Sequence, residues 1–554
     1  MKRIPSQLLH LLPRRRDYHG LRRTWRSDLL AGLTVAIVAL PLALGFGISS
    51  GAGAEAGLIT AIVAGVVAAV FGGSNVQVSG PTGAMVVVLA PIVATHGVAA
   101  VALVSVLAGA IVLLAGVLRL GRSVSFIPWP VIEGFTLGIG VIIFLQQVPA
   151  LSGAEDNGAG HTNVVVTAAR SLADADRRYL VWALGAVVIV AACMVLLPRL
   201  HRAIPGSLLG IAIVSGLALV LPTPLAVIGE LPGELPAPHL PLFDQAVLIS
   251  LLLPAVTVAA LAGIESLLSA RVAASMADTG RYDPDRELVG QGMASVAAGL
   301  FGGMPATGAI ARTAVGVRSG ARTRLAAASH AVILLVIVMA VAGPVGHIPL
   351  AALSGVLMVT AIRMIDLRTA WSILRSTRAD ATAFVVTAII TVSVDLIIAV
   401  MIGLLVAGVF ALRGLARSST VEREELPGAP RPDDDRIALL RLDGPLFFAP
   451  ADRIQEVVTD VDSVSVVILR MSRVQLLDAT GARALAEIVQ RCEARGVTVL
   501  IKGVRDGHAA LLHRVGTLDA LRHQNHLFTD LPAAVAHARS HTARERDAAA
   551  TVGV

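Results

Sequence analysis

The sequence predicts an all-α polytopic membrane domain followed by a small α/β domain, and three observations predict it. Only 15% of the 554 residues are charged while 55% are hydrophobic, with a mean hydropathy of +0.77. A soluble domain carries about 25% charged residues, so most of this chain is solvated by something other than water. The apolar residues fall in runs about as long as a bilayer-spanning helix, roughly 20 residues. After Arg417 the composition changes: Val421–Asp435 is charged and contains proline, and short apolar strand patterns then alternate with helical ones.

Apolar spans start near Leu29, Leu58, Val98, Val131, Leu180, Leu208, Leu251, Leu325 and Leu350, followed by a long stretch over Ala383–Leu412. Two shorter Gly-rich stretches, Thr82–Ala94 and Gly308–Val317, read as half-helices. With a short span at Leu288–Leu300 and two spans in the last stretch, the total is about fourteen crossings. The 52 glycines fit, because small side chains let membrane helices approach closely.

Starting from a cytoplasmic N-terminus, this count places Arg119, Arg122, Arg199, Arg202, Arg271, Arg322, Arg324, Arg363, Arg368, Arg413 and Arg417 inside. Pro222–Gln245 falls outside and carries no Lys or Arg, whereas Leu151–Arg178 falls outside and does contain arginines. An even count returns the C-terminus to the cytoplasm of a cell whose inner membrane holds the chain. The net charge of +7 is thereby a matter of orientation in the membrane, and no nucleic-acid partner is expected. Only Cys193 and Cys492 occur, so neither a disulfide framework nor a metal site is expected, and no cofactor. A basic stretch with Arg14, Arg15, Arg16, Arg22, Arg23 and Arg26 precedes the first apolar run without a small-residue cleavage site, unlike a cleavable signal peptide.

The expected organisation is an N-terminal cytoplasmic segment over 1–27, a membrane domain over 28–417, a linker over 418–435, a soluble domain over 436–541 and a disordered tail over 542–554. In the soluble domain Ile437–Leu442, Ser465–Leu469 and Val497–Ile501 read as strands, and Pro450–Thr459, Ala479–Ala494 and Leu531–Ser540 as helices.

An internal repeat locates the candidate site. Ile59–Met85 reads ITAIVAGVVAAVFGGSNVQVSGPTGAM, and Leu288–Ile310 reads LVGQGMASVAAGLFGGMPATGAI. Each has a small-residue helix, then Phe-Gly-Gly, then Thr-Gly-Ala opening a short apolar segment. Ala61, Gly65 and Ala69 share one helical face in the first copy, and Gly290, Ala294 and Ala298 in the second. The two Thr-Gly-Ala segments open the third and tenth crossings, an odd separation that implies opposite orientations. Inverted repeats with interrupted helices mark a midplane binding site in transporters. The extended stretches Ser74–Gly80 and Met304–Ala306 must be buried in protein or line a cavity, because lipid cannot satisfy their backbone. Free N–H groups are expected at Thr82, Gly83 and Ala84 and at Gly308, Ala309 and Ile310, forming two helix N-termini that together cradle an anion.

Arg312 lies in the first turn or so of the second half-helix, and Glu265 lies late in the span Leu251–Ala270. A charge inside a span costs a few kcal/mol by insertion scales and is by default functional. The bland alternatives are an Arg312 that snorkels to the interface and a Glu265 that merely pairs with it or with a backbone amide. His330, Glu133, Gln146 and Gln147 read as interfacial, and Asp395 as a loop residue.

These residues identify a resemblance. VALPLALGFG (Val38–Gly47), VSGPTGAM (Val78–Met85), GIESLLSA (Gly263–Ala270), ELVGQG (Glu287–Gly292) and TGAIARTAVGVRSGART (Thr307–Thr323), with GPLFFA (Gly444–Ala449) in the soluble domain, are similar to the sulfate permease (SulP) family along essentially the whole chain. That family is also called solute carrier family twenty-six. The resemblance implies two inverted seven-helix repeats arranged as core and gate, a homodimer, and a C-terminal STAS domain of the kind shared with anti-sigma factor antagonists. It implies substrate held between the first, third, eighth and tenth helices. Leu42 and Phe46 would line the site, Pro81 to Ala84 would cap it, Glu265 and Ser269 would match the coupling-ion position, and Ala311 with Arg312 would match the anion-facing turn.

This sequence departs from the family pattern in places. Sulfate-carrying relatives often have Gln at the position of Leu42. Sodium-coupled bicarbonate relatives have Asp and Thr at Glu265 and Ser269 and lack the arginine, so the pair Glu265 and Arg312 looks more like proton-coupled dicarboxylate carriers. Ser295 stands where the family usually has Asn. Asp478 is followed by Ala479 and then Thr480, so the phosphorylated Ser of the antagonists is missing.

The expected function is secondary active transport of a small inorganic or dicarboxylate anion, such as sulfate, bicarbonate or a C4-dicarboxylate, with a proton or sodium as coupling ion and the soluble domain free for a cytosolic partner. No enzymatic activity is expected. An exchanger or channel is the alternative within the same class, and a titratable Glu265 favours coupling over leak. A membrane sensor or scaffold acting through its STAS domain needs no ligand site, and a nucleobase carrier needs no cation at Arg312, so that residue separates both from the leading reading.

Overall fold

A computed structural model describes residues 9–18, 20–122, 127–153, 163–200, 205–230, 234–241, 245–276, 280, 282–394, 396–417, 420–446 and 464–552. Its contacts divide the chain into two units, Met1–Ala407 and Gly408–Val554, with the division inside the last apolar helix.

The first unit is helical: α1 (Leu21–Ser49), α2 (Ala54–Phe71), α3 (Gly83–His96), α4 (Ala99–Val117), α5 (Trp129–Gln146), α6 (Val148–Ser152), α7 (Val164–Ala173), α8 (Arg177–Leu200), α9 (Gly206–Val220), α10 (Gln245–Met276), α11 (Pro284–Leu300), α12 (Ile310–Arg318), α13 (Arg324–Gly346), α14 (Leu350–Met364), α15 (Leu367–Leu374), α16 (Arg378–Ser393) and α17 (Leu396–Arg417). Setting aside α6, α7 and α15, fourteen described helices follow the expected order. Eight described helices are long and apolar enough to cross a membrane. Polar residues start several of the rest. Asp283 accepts from the Asp285 and Arg286 N–H groups at 3.1 and 3.2 Å, with Pro284 as the first residue of α11, and Thr377 accepts from Asp380 N–H at 3.1 Å before α16.

Most helix packing falls within two groups, as the core-and-gate expectation requires, and the groups meet where α1 packs on α14 and α3 on α5. Helices α1–α4 pack with α10–α13, and α5, α8 and α9 pack with α14 and α16. Glycine makes a tight crossing between α4 and α11. A Cβ on Gly109 would stand 2.7 Å from the Gly292 carbonyl oxygen, and one on Gly292 would stand 2.4 Å from the Leu113 nitrogen, so α4 and α11 meet backbone to backbone. Helices α2 and α11 meet through Ala64, Ala68, Ala294 and Ala298. The first pair differs from the expected face of Ala61, Gly65 and Ala69, because Gly65 faces Ala331 and His330 on α13 instead. A π turn at Thr60–Ala64 adds a residue to one turn and rotates the face.

The second unit holds a five-stranded sheet in the order β3 (Thr420–Glu424), β4 (Ile437–Leu446), β5 (Val466–Leu477), β6 (Thr498–Lys502) and β7 (Leu527–Phe528); β1 and β2 belong to the first unit and are given below. Strand β3 pairs antiparallel to β4, and the remaining pairs are parallel. Helices α18 (Ala479–Ala494), α19 (Asp506–Arg514) and α20 (Leu531–Val552) accompany the sheet. Two apolar clusters form, Leu440, Leu469 and Ile501 packing with α18 residues such as Leu485, and Leu439, Ile468 and Leu500 with Ala534 and Val535 of α20.

Two expectations change here. The segment 418–435, read as a linker, contributes strand β3, because Glu424 pairs with Arg441 at 2.8 Å and Arg470 at 2.7 Å on the neighbouring strands. The stretch after 541, read as a disordered tail, continues helix α20 to Val552, held by Glu545 on Arg436 at 2.6 Å and Arg546 on Asp433 at 3.0 Å. The side chain of Asp478 caps α18 by accepting from Gly481 N–H at 2.7 Å. Asp395, the helix expected over Pro450–Thr459 and residues 447–449 of the GPLFFA motif lie outside the described residues.

Candidate functional site

Helices α2 and α11 each run into Phe-Gly-Gly, after which the chain extends and the two extensions meet. Strand β1 (Ser79–Gly80) pairs antiparallel with β2 (Thr307–Gly308), Ser79 opposite Gly308 and Gly80 opposite Thr307. The Ala309 N–H prolongs the ladder to the Val78 carbonyl at 2.8 Å. Protein side chains satisfy the neighbouring backbone. Thr60 Oγ1 accepts from Met304 N–H at 2.7 Å, and Ser295 Oγ accepts from Ala306 N–H at 3.1 Å and donates to its carbonyl at 3.2 Å. The Glu287 carboxylate accepts from the Gly73 and Ser74 N–H groups at 2.7 and 2.9 Å. Ser295, a departure from the family pattern, thus holds the second extension in place.

Helix α3 starts at Gly83 behind Thr82, and α12 starts at Ile310 behind Ala309, neither with a side-chain cap. Their first turns therefore leave N–H groups without intrahelical partners. Two of the N–H groups expected to be free are not. Gly308 donates to Ser266 Oγ at 3.0 Å and Ala309 to Val78, because the second extension pairs as a strand before its helix begins.

Between these helix starts lies a carboxylate. Glu265 Oε2 accepts from Thr82 Oγ1 at 2.8 Å and from Thr307 Oγ1 at 2.9 Å, and the two hydroxyl oxygens are 3.2 Å apart. Arg312, 2% exposed, donates from Nη2 to the Pro81 carbonyl, while its Nη1 is buried without a hydrogen-bond partner. The carboxylate takes its hydrogen bonds from the threonines. Glycine makes room for the guanidinium, since a Cβ on Gly80 would stand 2.8 Å from Nη1.

The structure thus gathers Pro81, Thr82, Gly83, Gly308, Ala309, Arg312 and Glu265. Leu42 and Phe46 are buried on α1, and Phe46 reaches the start of α3, 3.5 Å from where a Gly83 Cβ would be. Ala84 is buried, Ile310 half-buried and Ala311 exposed. Ser269 sits one turn beyond Glu265, and its hydroxyl meets Thr313 Oγ1 at 3.4 Å, not the carboxylate.

Thr307 was missing from the expected site residues; the signal for it was its place as the first residue of the second Thr-Gly-Ala. Gln291 was missing too, and its Nε2 donates to Ser79 Oγ at 2.6 Å and to Glu287 Oε1 at 2.9 Å. His330 is fully buried on α13, not interfacial, and Gln147 is buried with its side chain on Ser49 of α1.

Comparison with known proteins bears on what this arrangement does. A model of the sulfate permease family matches residues 25–387, and one of the STAS domain matches residues 430–534. YvdB of Bacillus subtilis, provisionally named a sulfate transporter, is 34% identical over 90% of this chain and 96% of its own length. The bicarbonate transporter BicA of a Picosynechococcus strain is 31% identical over 87% of this chain and 89% of its own. The solved transmembrane domain of a cyanobacterial BicA superposes with a TM-score of 0.60 at 31% identity, covering 70% of this chain and 98% of that one. The murine anion transporter Slc26a9 shares the fold, with a TM-score of 0.83 at 17% identity over 98% of this chain and 96% of its own.

Proposed function

The chain belongs to the sulfate permease family of membrane transporters, with a C-terminal STAS domain, and on that premise we propose that it is a secondary active carrier coupling a small inorganic oxyanion to a proton. The observation that carries the reading is the buried, half-satisfied Arg312 beside a carboxylate held by one threonine from each repeat.

Arg312 Nη2 is tied to Pro81, which orients the guanidinium, and Nη1 remains as the charge-assisted donor for an oxyanion. The uncapped starts of α3 and α12 add backbone donors and the positive ends of two helix dipoles. Leu42 and Phe46 supply apolar walls. The names of the relatives, sulfate and bicarbonate transporters, support an oxyanion of that size, and a C4-dicarboxylate is the competing cargo to include in any assay.

Glu265 is the proposed proton site. Ionised, it accepts from both threonines; protonated, it must turn one of these contacts round and donate. An incoming anion competes for Arg312 and repels an ionised Glu265, and protonation removes that repulsion. Anion and proton then favour each other's binding, which is the condition for symport. Ser269 belongs to the Thr313 side of the site and acts through it.

Alternating access would move the α5, α8, α9, α14 and α16 group against the helices that hold the site. The start of α3 leans on that group at Ile143 of α5, which a Gly83 Cβ would approach to 2.0 Å. The family pattern supports a homodimer, and the arginines at the loop ends support cytoplasmic termini in the inner membrane.

The test is uptake of labelled sulfate, bicarbonate and succinate by proteoliposomes, with and without an acid-outside gradient. Wild-type protein should accumulate one of these anions when the outside is acid. Glu265→Gln, which mimics the protonated state, should still bind it and equilibrate it but no longer concentrate it. pH-driven accumulation by the variant, or a sodium requirement in the wild type, refutes the proton assignment.

A further inference from the structure

Three histidines of the second unit come together away from the candidate transport site. His537 and His541 stand four residues apart on α20, so both imidazoles leave the same helix face. Their Nε2 atoms are 3.3 Å apart. His526 closes a short 3-10 turn, Gln524–His526, immediately before β7, and its ring centroid lies 5.5 Å from that of His537 and 5.7 Å from that of His541. One ring nitrogen from each of the three lies within 4.8 Å of the others.

The His537–His541 distance fits a metal. A tetrahedral zinc ion takes imidazole nitrogens at about 2.0–2.1 Å, which sets neighbouring ligand nitrogens about 3.3 Å apart. The His537–His541 pair already has that separation, and its i, i+4 spacing is the one by which helices present two imidazoles to zinc. The third ligand carries an independent sign. His526 is 1% exposed, and its Nδ1 is buried with no hydrogen-bond partner. A buried polar atom left unpaired is costly, and a metal ion beside it would meet that need.

We propose that His526, His537 and His541 form a binding site for a zinc-type divalent transition-metal ion in the STAS domain, with a fourth position open to water. Imidazole is the ligand type such ions accept. Histidine ligates such an ion through a neutral ring nitrogen. Strand β7 pairs with β6 at Leu527 and Phe528, so a metal shared with α20 would clamp the sheet edge to the C-terminal helix.

The experiment uses the full chain in detergent, purified through a tag without histidines and stripped with chelator. Zinc titration against a competing chromophore should give one tight site per chain, and cobalt should give the visible absorption of a four-coordinate site. His541→Ala and His526→Gln should each weaken zinc binding at least about 10-fold, the lower end of what even an outer-shell partner contributes. His513→Ala, which alters an exposed histidine of the same unit, should leave binding unchanged. Variants are compared only where their elution profile matches the wild type. Amide exchange over residues 526–535 should slow when zinc is added to the wild type and stay unchanged in His541→Ala. Absence of a tight zinc in the wild type, or equal binding by the wild type and the triple variant of the three histidines, overturns the proposal.

Discussion

The tripeptide Thr-Gly-Ala occurs once in each repeat, yet the two copies fold differently. In the first, the helix begins one residue after the threonine: Thr82 precedes α3 at Gly83. In the second, it begins three residues after: Thr307 and Gly308 are strand, Ala309 precedes α12, and Ile310 is its first residue. Pro81 has no N–H to continue a ladder, so β1 stops at Gly80, whereas the N–H groups of Gly308 and Ala309 are both used. The offset sets what each copy contributes. By the motif, Arg312 corresponds to Val87, so the second copy supplies a cation and the first supplies the Pro81 carbonyl that aims it. Only the threonines keep equivalent roles, meeting on one oxygen of Glu265. Sequence symmetry in an inverted repeat therefore marks where a site lies, and the departures from symmetry mark its chemistry.

The largest expected effect breaks that asymmetry directly. Arg312→Ala should weaken anion uptake about 10- to 100-fold, the worth of one charge-assisted hydrogen bond, while Val87→Ala should change it about twofold or less. Arg312→Lys should restore only part, because an ammonium lacks the planar fork that spans a carbonyl and an anion. Concentration-dependent uptake in proteoliposomes checks all three, and equal behaviour of the alanine variants would remove the distinction between the copies.

A second substitution tests whether the first copy positions the cation. Gly80→Ala would bring a methyl group to 2.8 Å from Arg312 Nη1 and should cost about 10-fold in apparent affinity, in keeping with the overpacking of a tight site. Combined with Arg312→Ala it should add almost nothing, since its effect runs through the displaced guanidinium. Additive losses in the double variant would mean that Gly80 acts on something else.

The smallest effects sharpen the symmetric part. Thr82→Val and Thr307→Val each remove one of two donors to the same carboxylate oxygen, at about 1 kcal/mol or roughly fivefold in transport. The two should be equal within error by uptake rate. A loss confined to Thr307→Val would make Thr82 a spectator and Glu265 a partner of the second repeat alone.

Much of the membrane unit was legible because bilayer spans need long apolar runs, and runs are a property of sequence alone. The positions expected for α2, α4, α13 and α14 fall within a few residues of the helices. The repeat was legible through Phe-Gly-Gly and Thr-Gly-Ala, and the charges through the cost of placing Glu265 and Arg312 in apolar segments. Helix rotation was not legible, because the π turn in α2 that moves Gly65 toward α13 leaves no mark in composition. Strand β3 and the far end of α20 were missed for a related reason. Both are polar segments held by ion pairs to residues distant in the chain, such as Glu424 with Arg470 and Glu545 with Arg436.

The histidines illustrate the same limit. Counting cysteines removed the metal frameworks that cysteine spacing announces, but His526 is ten residues or more from His537 and His541, and nothing local joins them. Hydropathy and backbone hydrogen-bond demand are enough to read the apolar character of one unit and the polar character of the other, the order of the apolar helices, the repeat and the residue types at its breaks. Packing alone brings Thr307 to Thr82 on Glu265, gives the Gly308 N–H to Ser266 and the Ala309 N–H to Val78, leaves room for Arg312 at Gly80, and gathers three histidines in one small volume. Each of these depends on distances between segments remote in the chain, which packing sets and local sequence does not encode.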